Sequence, residues 1–358
     1  MGPLAPAADT GGTRSPSGAA RRPPPAPSGQ RCTPTGLRLC CRTRIPPRAF
    51  RGASTVTREP KATVLESFLP LVKFALSEDV GTGDVTTLNS VPSNIGARAV
   101  IMAKEPGVVS GLEIAQMTFR EVDPELKFRS TTRDGEWIEA GVALAQISGS
   151  AASIMTAERT ALNYLMRLCG VATLTHKYVQ TIEGTGCRIL DTRKTTPGLR
   201  FLEKYAVACG GGVNHRMALW DMYLVKDNHI RAARGLTQAI DRIQRTRRDL
   251  LLEVEVESME QLREALRPEV DRILVDNQPV DAVKRAVDEV ERWYRANPPD
   301  HSRVLPGARR WPEVEVSGGI NLETACAYAE TGADYLSVGA LTHSAPALNL
   351  SLEIEEVG

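Results

Sequence analysis

The sequence contains no long apolar run. It has 358 residues, 42% of them hydrophobic, yet no stretch approaches the ~18–20 consecutive apolar residues that a membrane-spanning helix requires. We therefore expect a soluble protein, with no membrane partner and with enough apolar residues to form the cores of two domains.

Metal-type and disulfide-type cysteine patterns are also missing. No two of the seven cysteines have CxxC spacing, and their density is too low for a disulfide scaffold. Scattered cysteines are typical of a reducing compartment, and we expect the last four to be small core residues. The cysteines are Cys32, Cys40, Cys41, Cys169, Cys187, Cys209 and Cys326.

Acidic residues are scarce at one end of the chain only. Residues 1–59 contain ten Arg, no Lys and only Asp9 and Glu59 as acids, whereas the rest carries 34 basic and 41 acidic side chains, a net charge of −7. A nucleic-acid binder would show a basic surplus in its folded part, so we expect no nucleic-acid partner. A local cationic pocket remains compatible with this balance.

The N-terminal segment, residues 1–55, lacks hydrophobic periodicity and is rich in Pro, Arg, Gly and Ser. Such a segment buries too little apolar surface to offset its ordering entropy, and we expect it to be disordered. Its acid-poor composition also fits an organelle-targeting leader, although prolines such as Pro23 and Pro27 would break an amphipathic leader helix. We expect a cytoplasmic protein, with a mitochondrial location as the alternative.

The next part of the chain, residues 56–163, predicts an α+β domain. A helical pattern over Lys61 to Leu76 is interrupted by Pro70, and residues 97–148 contain short β-prone runs split by Gly, Pro and Asp-Gly turn signals. An antiparallel sheet follows from that pattern. A long helical pattern from Ile154 to Val179 would connect this domain to the next.

Beyond that helix, one theme recurs six times. A short apolar run is followed by a polar or glycine-rich cluster and then by a helical stretch. Strands that alternate with helices predict parallel βα units, and six or more in series indicate a (β/α) barrel with its functional residues at the carboxyl ends of the strands. The six runs are CRIL, MYLV, LLEVEVE, RILV, VEV and YLSV.

Two glycine clusters follow the last two predicted strands. They are Ser317, Gly318 and Gly319 in VEVSGGI, and Val338, Gly339 and Ala340 in YLSVGAL. Glycine lets backbone N–H groups approach an anion, and late-strand loops are the usual phosphate site in such barrels. Each cluster alone could be a plain turn, but together they favour phosphate binding.

Two carboxylates occupy corresponding places on consecutive strands. Glu255 lies in LLEVEVE and Asp276 in RILVDN, so both would reach one rim, where they suit Mg²⁺ held jointly with substrate phosphates. The alternative is that EVEVE is a strand with a charged face. The pattern alone does not separate Glu255 from Glu253 or Glu257.

Five basic residues lie within 34 positions, all beside turn-like sequence. Arg suits bidentate binding of carboxylates and phosphates, and Lys acts as a mobile point charge, so the pocket should bind polyanions. A single Arg would be an ordinary surface charge, and His215 could be a hydrogen-bonded core histidine. The five are Arg193, Lys194, His215, Arg216 and Lys226.

Several longer motifs resemble the quinolinate phosphoribosyltransferases, also called nicotinate-nucleotide pyrophosphorylases. The resemblance extends from about Val64 to the C-terminus, with DTRKTTPG, NHR and KDNH in the family's order. The motifs are EDVGTGDVTT (78–87), AERTALNYLMRLCGVAT (157–173), LDTRKTTPGLRFLEKYAVACGGGVNHR (190–216), DMYLVKDNH (221–229), EVEVE (253–257), LVDN (274–277) and SGG…DYLSVGALTHS (317–344).

The resemblance implies a reaction and a fold. Quinolinate and phosphoribosyl pyrophosphate would yield nicotinate mononucleotide, pyrophosphate and CO₂, with Mg²⁺ and no organic cofactor. The fold would be an N-terminal α/β sandwich domain, rejoined by residues 344–358, and an open seven-stranded α/β barrel over residues 164–343.

The resemblance also implies roles for individual residues. The quinolinate carboxylates would be held by Thr192, Arg193, Lys194, His215 and Arg216. Lys194, Lys226, Glu255 and Asp276 would be catalytic, the last two holding the ribose hydroxyls and the metal, directly or through substrate or water. Ser317 to Gly319 and Val338 to Ala340 would bind the 5′-phosphate. Arg159 would reach the neighbouring subunit's site, in a homodimer or a hexamer of three dimers.

Two departures and three alternatives accompany this interpretation. Residues 291–314 form a Pro- and Arg-rich excursion that is longer than the family needs, and we expect it at the surface. The basic N-terminal tail is not part of the family's catalytic pattern either. The alternatives are a phosphoribosyltransferase for a pyridine monocarboxylate such as nicotinate, a Schiff-base aldolase using Lys226, and a non-catalytic paralogue.

Overall fold

The computed structural model describes residues 67–246, 250–266, 270–298 and 312–358. The N-terminal segment 1–55 and much of the 291–314 excursion lie outside the described residues, so the expectations for them stay predictions. The helices are α1 Leu69–Val80, α2 Val85–Ser90, α3 Leu112–Val122, α4 Ala151–Thr181, α5 Arg200–Cys209, α6 Asp227–Ala233, α7 Leu236–Thr246, α8 Met259–Ala265, α9 Val280–Ala296, α10 Ala325–Ala329 and α11 Ala340–His343. The strands are β1 Gly96–Ala103, β2 Gly107–Val108, β3 Lys127–Ser130, β4 Trp137–Ile138, β5 Ala143–Ser150, β6 Arg188–Leu190, β7 Tyr223–Val225, β8 Leu252–Val256, β9 Arg272–Asp276, β10 Glu313–Ser317, β11 Tyr335–Ser337 and β12 Leu350–Val357.

The first sheet has four antiparallel strands in the order β12-β1-β5-β3. One of its faces is apolar, with Ile101, Leu144 and Ile147 fully buried against α3 and α4. This confirms the antiparallel sheet predicted from residues 97–148. The C-terminal strand β12 returns to pair with β1, which binds the end of the chain to its first sheet.

The first helix differs from the prediction. The pattern over Lys61 to Leu76 predicted a helix interrupted at Pro70, whereas α1 begins at Leu69 and continues to Val80 with Pro70 in its first turn. The expected interruption was wrong because proline is unfavourable only inside a helix. In the first turn its missing N–H has no intrahelical acceptor to lose.

The predicted connecting helix is α4, which spans 31 residues. The Ser150 hydroxyl accepts the N–H of Ser153 at 3.3 Å and caps its start. Its first half packs in the hydrophobic cluster below the antiparallel sheet, and its second half packs in the cluster around the parallel sheet. A Cβ on Gly170 would overlap the carbonyl oxygen of Pro346, so glycine is needed where the chain crosses α4.

The second sheet has six parallel strands in the order β6-β11-β10-β9-β8-β7. Their carboxyl ends therefore lie on one side, as the repeated strand–helix pattern predicted. Within the described residues the parallel sheet has six strands, one fewer than the seven that the resemblance implies. An isolated parallel bridge between Leu190 and Val213 extends the pairing beyond β6. The α/β class is confirmed, and the open sheet is consistent with an open barrel.

The cysteine prediction is mostly confirmed. Cys169, Cys187 and Cys209 are buried, as free cysteines often are. Cys326 is only partly buried, so its assignment to the core was wrong. It lies on the short helix α10 at the periphery of the parallel sheet.

Candidate active site

A cavity of about 630 Å³ opens at the carboxyl ends of the parallel strands. It brings together all the sequence-predicted site residues except Arg159 and Val338. Those residues come from seven strand ends and loops separated in sequence by up to 148 positions, which the parallel arrangement places on one rim. The predicted residues that line it are Thr192, Arg193, Lys194, His215, Arg216, Lys226, Glu255, Asp276, Ser317, Gly318, Gly319, Gly339 and Ala340.

Lys226 and Glu255 contact each other across neighbouring strands. Lys226 directly follows β7 and its Nζ donates to Oε2 of Glu255 on β8. Alternation along β8 puts Glu253 on the same side as Glu255 but deeper, whereas Glu257 is exposed beyond the strand end. Of the three candidates, Glu255 is therefore the carboxylate that lines the cavity.

Asp276 lies on the next strand and is held by its neighbour. The Asn277 amide donates to Oδ2 of Asp276 at 2.6 Å, and the Asn277 backbone N–H donates to the Ser317 carbonyl at 2.9 Å. A Cβ on Gly318, whose φ is +96°, would overlap Oδ1 of Asn277. Glycine is thus required at this point for both backbone conformation and close approach.

The second glycine turn has two different halves. Gly339 and Ala340 line the cavity at the start of α11, beside the side chains of Lys194 and His343. The side chain of Val338 is buried in the core, and its N–H donates to the Leu190 carbonyl at 3.0 Å. The N–H of Val338 is therefore already used by β6, which leaves Gly339 and Ala340 as the exposed part of this turn.

Two guanidinium groups share the cavity. The pKa of Arg216 is lowered by burial and by the nearby charge of Arg193. Nε of Arg193 is buried and has no hydrogen-bond partner among the described residues. Adjacent cations with an unsatisfied buried donor are stabilised by a bound anion, and two parallel N–H groups suit a carboxylate.

His215 lies at the floor of the cavity against two buried carboxylates. Its Nε2 is 3.0 Å from Glu253 Oε2 and 3.5 Å from Glu315 Oε1. Burial opposes a charge on the ring, but Glu315 and Glu253 outweigh it and raise the pKa of His215 to about 10. The Arg216 N–H donates to Nδ1 at 2.7 Å, so a second ring proton would have to displace that hydrogen bond. The sequence analysis considered His215 either as a hydrogen-bonded core histidine or as a residue of the cationic pocket. In the structure it is both buried and part of the cavity lining.

Two carboxylates lie below His215: the sequence left Glu253 open as an alternative to Glu255, and Glu315 was missed. Burial raises the pKa of Glu253, whereas His215 and Arg272 hold the pKa of Glu315 at about 2 against the effect of burial. Arg272 donates to Glu315 at 3.2 Å, and the Ser337 hydroxyl also donates to it. The available signal was the alternation in EVEVE and EVEVS, which resembles a solvated strand face and is in fact an internal charge network.

Other residues escaped sequence analysis. Leu224, Leu274, Asn277, Glu315, Ile320, Ser337 and His343 also line the cavity. Asn277 and His343 fall inside the quoted motifs LVDN and DYLSVGALTHS, and for Asn277 the position directly after a strand end was a usable signal. The apolar members carry no signal that separates them from other strand residues.

Arg159 lies outside the cavity of its own chain. It is on α4, 58% exposed at the side chain, with Glu158 at 3.7 Å as its ionic neighbour. A long cation facing solvent is available to a second molecule, but it takes no part in the site of this chain.

Known proteins with similar sequences and structures identify the family. The protein-family model for the N-terminal domain of quinolinate phosphoribosyl transferase matches residues 84–169. The family model for its C-terminal domain matches residues 171–353. A Mycobacterium leprae protein named nicotinate-nucleotide pyrophosphorylase [carboxylating] is 41% identical over 286 residues, which cover 79% of this chain and 95% of the relative. An Arabidopsis thaliana protein of the same name, described as chloroplastic, is 39% identical over 296 residues, covering 80% and 82%.

A solved structure agrees with these sequence matches. The nicotinate-nucleotide pyrophosphorylase from Francisella tularensis superposes with a TM-score of 0.73 and 34% identity, covering 81% of this chain and 96% of that one. The chain therefore belongs to the quinolinate phosphoribosyltransferase family.

Proposed function

We propose that the protein converts quinolinate and phosphoribosyl pyrophosphate into nicotinate mononucleotide, pyrophosphate and CO₂, a step of NAD biosynthesis. The observation that carries the proposal is the Arg193–Arg216 pair, with the buried and unsatisfied Nε of Arg193, in a cavity that also holds three carboxylates and two glycine turns. A dicarboxylate would neutralise these adjacent cations, while the glycine turns would accept the 5′-phosphate.

The proposed chemistry needs positioning and electrostatics rather than a protein nucleophile. The pyridine nitrogen attacks C1 of the ribose as the C1–O bond to pyrophosphate breaks, and Glu255 and Asp276 face the cationic ring that develops. Lys226 and Lys194 stabilise the departing anion. The pyridinium then accepts the electron pair of the adjacent C–CO₂⁻ bond, CO₂ leaves, and the ring carbon takes up a proton.

Glu255 and Asp276 fit a shared Mg²⁺. Both are carboxylates on adjacent strands at the cavity mouth, and hard oxygen ligands suit that ion. Lys226 already contacts Glu255, so we propose that the ion is bound mainly by substrate phosphates, with the two carboxylates acting directly or through water. The ion would neutralise charge on the diphosphate. His215, Glu253 and Glu315 also lie close enough for a metal, but Arg272 already pairs with Glu315 of that group.

We propose a homo-oligomer in which Arg159 of one subunit completes the site of another, as a dimer or a hexamer. Its exposure on α4 and its absence from its own cavity support this assignment. The two sheets and their separate hydrophobic clusters support domains at residues 56–163 with 344–358, and at 164–343.

A cytoplasmic location is proposed, with a mitochondrial one as the alternative. None of the described helices is long and apolar enough to cross a membrane. The Arabidopsis relative is described as chloroplastic, which supports an organelle as the alternative location. Imaging of the full chain and of a chain lacking residues 1–55, each fused to a fluorescent protein at the C-terminus, would distinguish the two.

The test of the reaction is release of pyrophosphate and CO₂ by the purified full chain with Mg²⁺ and phosphoribosyl pyrophosphate. We expect one equivalent of each product per quinolinate consumed and none with nicotinate. Turnover with nicotinate alone would replace the substrate assignment. A borohydride-trapped adduct at Lys226 would indicate an aldolase, and binding without turnover would indicate a non-catalytic paralogue.

A further inference from the structure

Glu203 on α5 is fully buried yet makes four hydrogen bonds, none of them to the cavity. It accepts from the backbone N–H of Thr196 at 3.0 Å and from its hydroxyl at 2.7 Å. It also accepts from Nε and an Nη of Arg167 on α4, at 3.1 and 2.7 Å. Glu203 thus attaches the loop that carries Arg193 and Lys194 to α4.

Arg167 extends the connection to the other side of the cavity. Its guanidinium donates to the Ala345 carbonyl at 3.0 Å and to the Thr342 carbonyl. The Thr342 hydroxyl in turn donates to the Lys194 carbonyl at 2.8 Å. These contacts close a ring that joins the loop after β6 to the turn after β11.

The Arg167–Glu203 ion pair contributes more to the geometry of the cavity than to the stability of the fold. The Glu203 side chain is fully buried and that of Arg167 is 24% exposed, so forming the pair carries a desolvation cost, and apolar replacements of buried ion pairs are often neutral or stabilising. An apolar pair could fill the same space, but it could not bind the Thr196 N–H and the two carbonyls at set positions. Directional hydrogen bonds are what this pair contributes.

We propose that Arg167 and Glu203 are positioning residues that hold the carboxylate-binding loop and the phosphate-binding turn at a fixed separation. The inference rests on the proposed function, because it assigns quinolinate to residues 192–194 and the 5′-phosphate to residues 339–340. Neither Arg167 nor Glu203 lines the cavity, so they act through those two segments. Fixed separation matters because a displacement of about 1 Å can cost about a hundredfold in rate.

The experiment compares Glu203→Gln and Arg167→Lys with Tyr205→Phe as a matched control. Tyr205 lies on the same helix and is also buried, but its hydroxyl donates at 3.0 Å to Asp134, away from the cavity. For each full-chain variant we would measure kcat, the KM of both substrates and the Tm. We expect both KM values to rise about tenfold or more in the first two variants and to stay unchanged in the control at a similar Tm.

The double variant Arg167→Met/Glu203→Leu separates positioning from stability. We expect it to fold, with both KM values raised as far as in the single variants and no further. Folded variants with wild-type KM for both substrates would overturn the proposal. Failure of the two single variants and the double variant to fold would also overturn it, because the role of Arg167 and Glu203 would then be structural. A wild-type chain that turns over neither pyridine substrate would instead refute the proposed function.

Discussion

Lys204 and Asp191 form an ion pair from which water is fully excluded, and both bind the backbone of His215. The Lys204 ammonium contacts Asp191 and donates to the His215 carbonyl at 3.1 Å, while Asp191 accepts the His215 N–H at 2.8 Å. Asn214 adds a further donor to Asp191 at 2.6 Å. Since Glu203 is the neighbouring residue on α5, one helix turn supports two loops of the cavity.

Replacing Lys204 by Met should destabilise the protein by about 3–5 kcal/mol, because a buried carboxylate then loses its counter-ion. Burial already raises the pKa of Asp191 against the opposing charge of Lys204. Urea denaturation of the full chain measures the effect. The double variant Lys204→Met/Asp191→Asn should recover part of the loss, and no recovery would show that the pair does not act as a unit.

Lys226→Ala should lower kcat by about 10²–10³ while leaving the Tm nearly unchanged. The loss is expected because Lys226 would face charge that develops in the transition state. The Tm should change little because the Lys226 side chain is 43% exposed, so solvent screens its pair with Glu255, although the Glu255 side chain itself is only 9% exposed. Steady-state kinetics and thermal unfolding measure the two effects. Lys284→Ala, which removes an exposed pair on α9, is the control and should retain wild-type kcat.

Mixing two inactive variants should restore enzymatic activity if the active site is shared between subunits. Arg159→Ala removes the cation proposed to serve the partner, and Lys226→Ala disables the chain's own cavity. Mixed oligomers would contain some intact sites, so we expect activity to return after dissociation and reassociation. Native mass spectrometry would verify subunit exchange, and exchange without regained activity would contradict the shared site.

Gly318→Ala should raise the KM for phosphoribosyl pyrophosphate about tenfold. A methyl group there would overlap Oδ1 of Asn277 and displace the proposed phosphate loop. Gly184→Ala is the matched control, since Gly184 also has a positive φ of +84° but has no atom within 4 Å of the added carbon. Both changes should cost roughly 1–2 kcal/mol of backbone strain, yet only the first should alter KM.

Stability should depend on the ionisation of His215. Because the folded pKa of His215, about 10, exceeds its ordinary value of 6.5, its contribution should be complete below about pH 6.5 and lost as the pH rises towards 10. Urea unfolding of the wild type and His215→Asn across that range gives the difference. Parallel pH profiles would show that the ring stays neutral, as its contact with the Arg216 N–H favours.

Much of the site could be predicted because its residues follow strand ends directly. Lys226, Asp276 and Ser317 each come at or just after the last residue of a parallel strand, a place that local sequence reveals. Glu253 and Glu315 could not be placed in the same way. Alternation in a strand predicts which residues share a face, but only the packing of His215 and Arg272 shows that this face is internal.

Local sequence was enough to predict the alternation of strands and helices, the long helix α4, and the family through motifs such as DTRKTTPG and KDNH. Local periodicity and short motifs carry that information. Only the folded structure shows that Arg167, Glu203, Lys204 and Asp191 support the cavity. Those contacts join segments up to 178 residues apart, and nothing in local sequence marks which distant backbone atom a buried charge will bind.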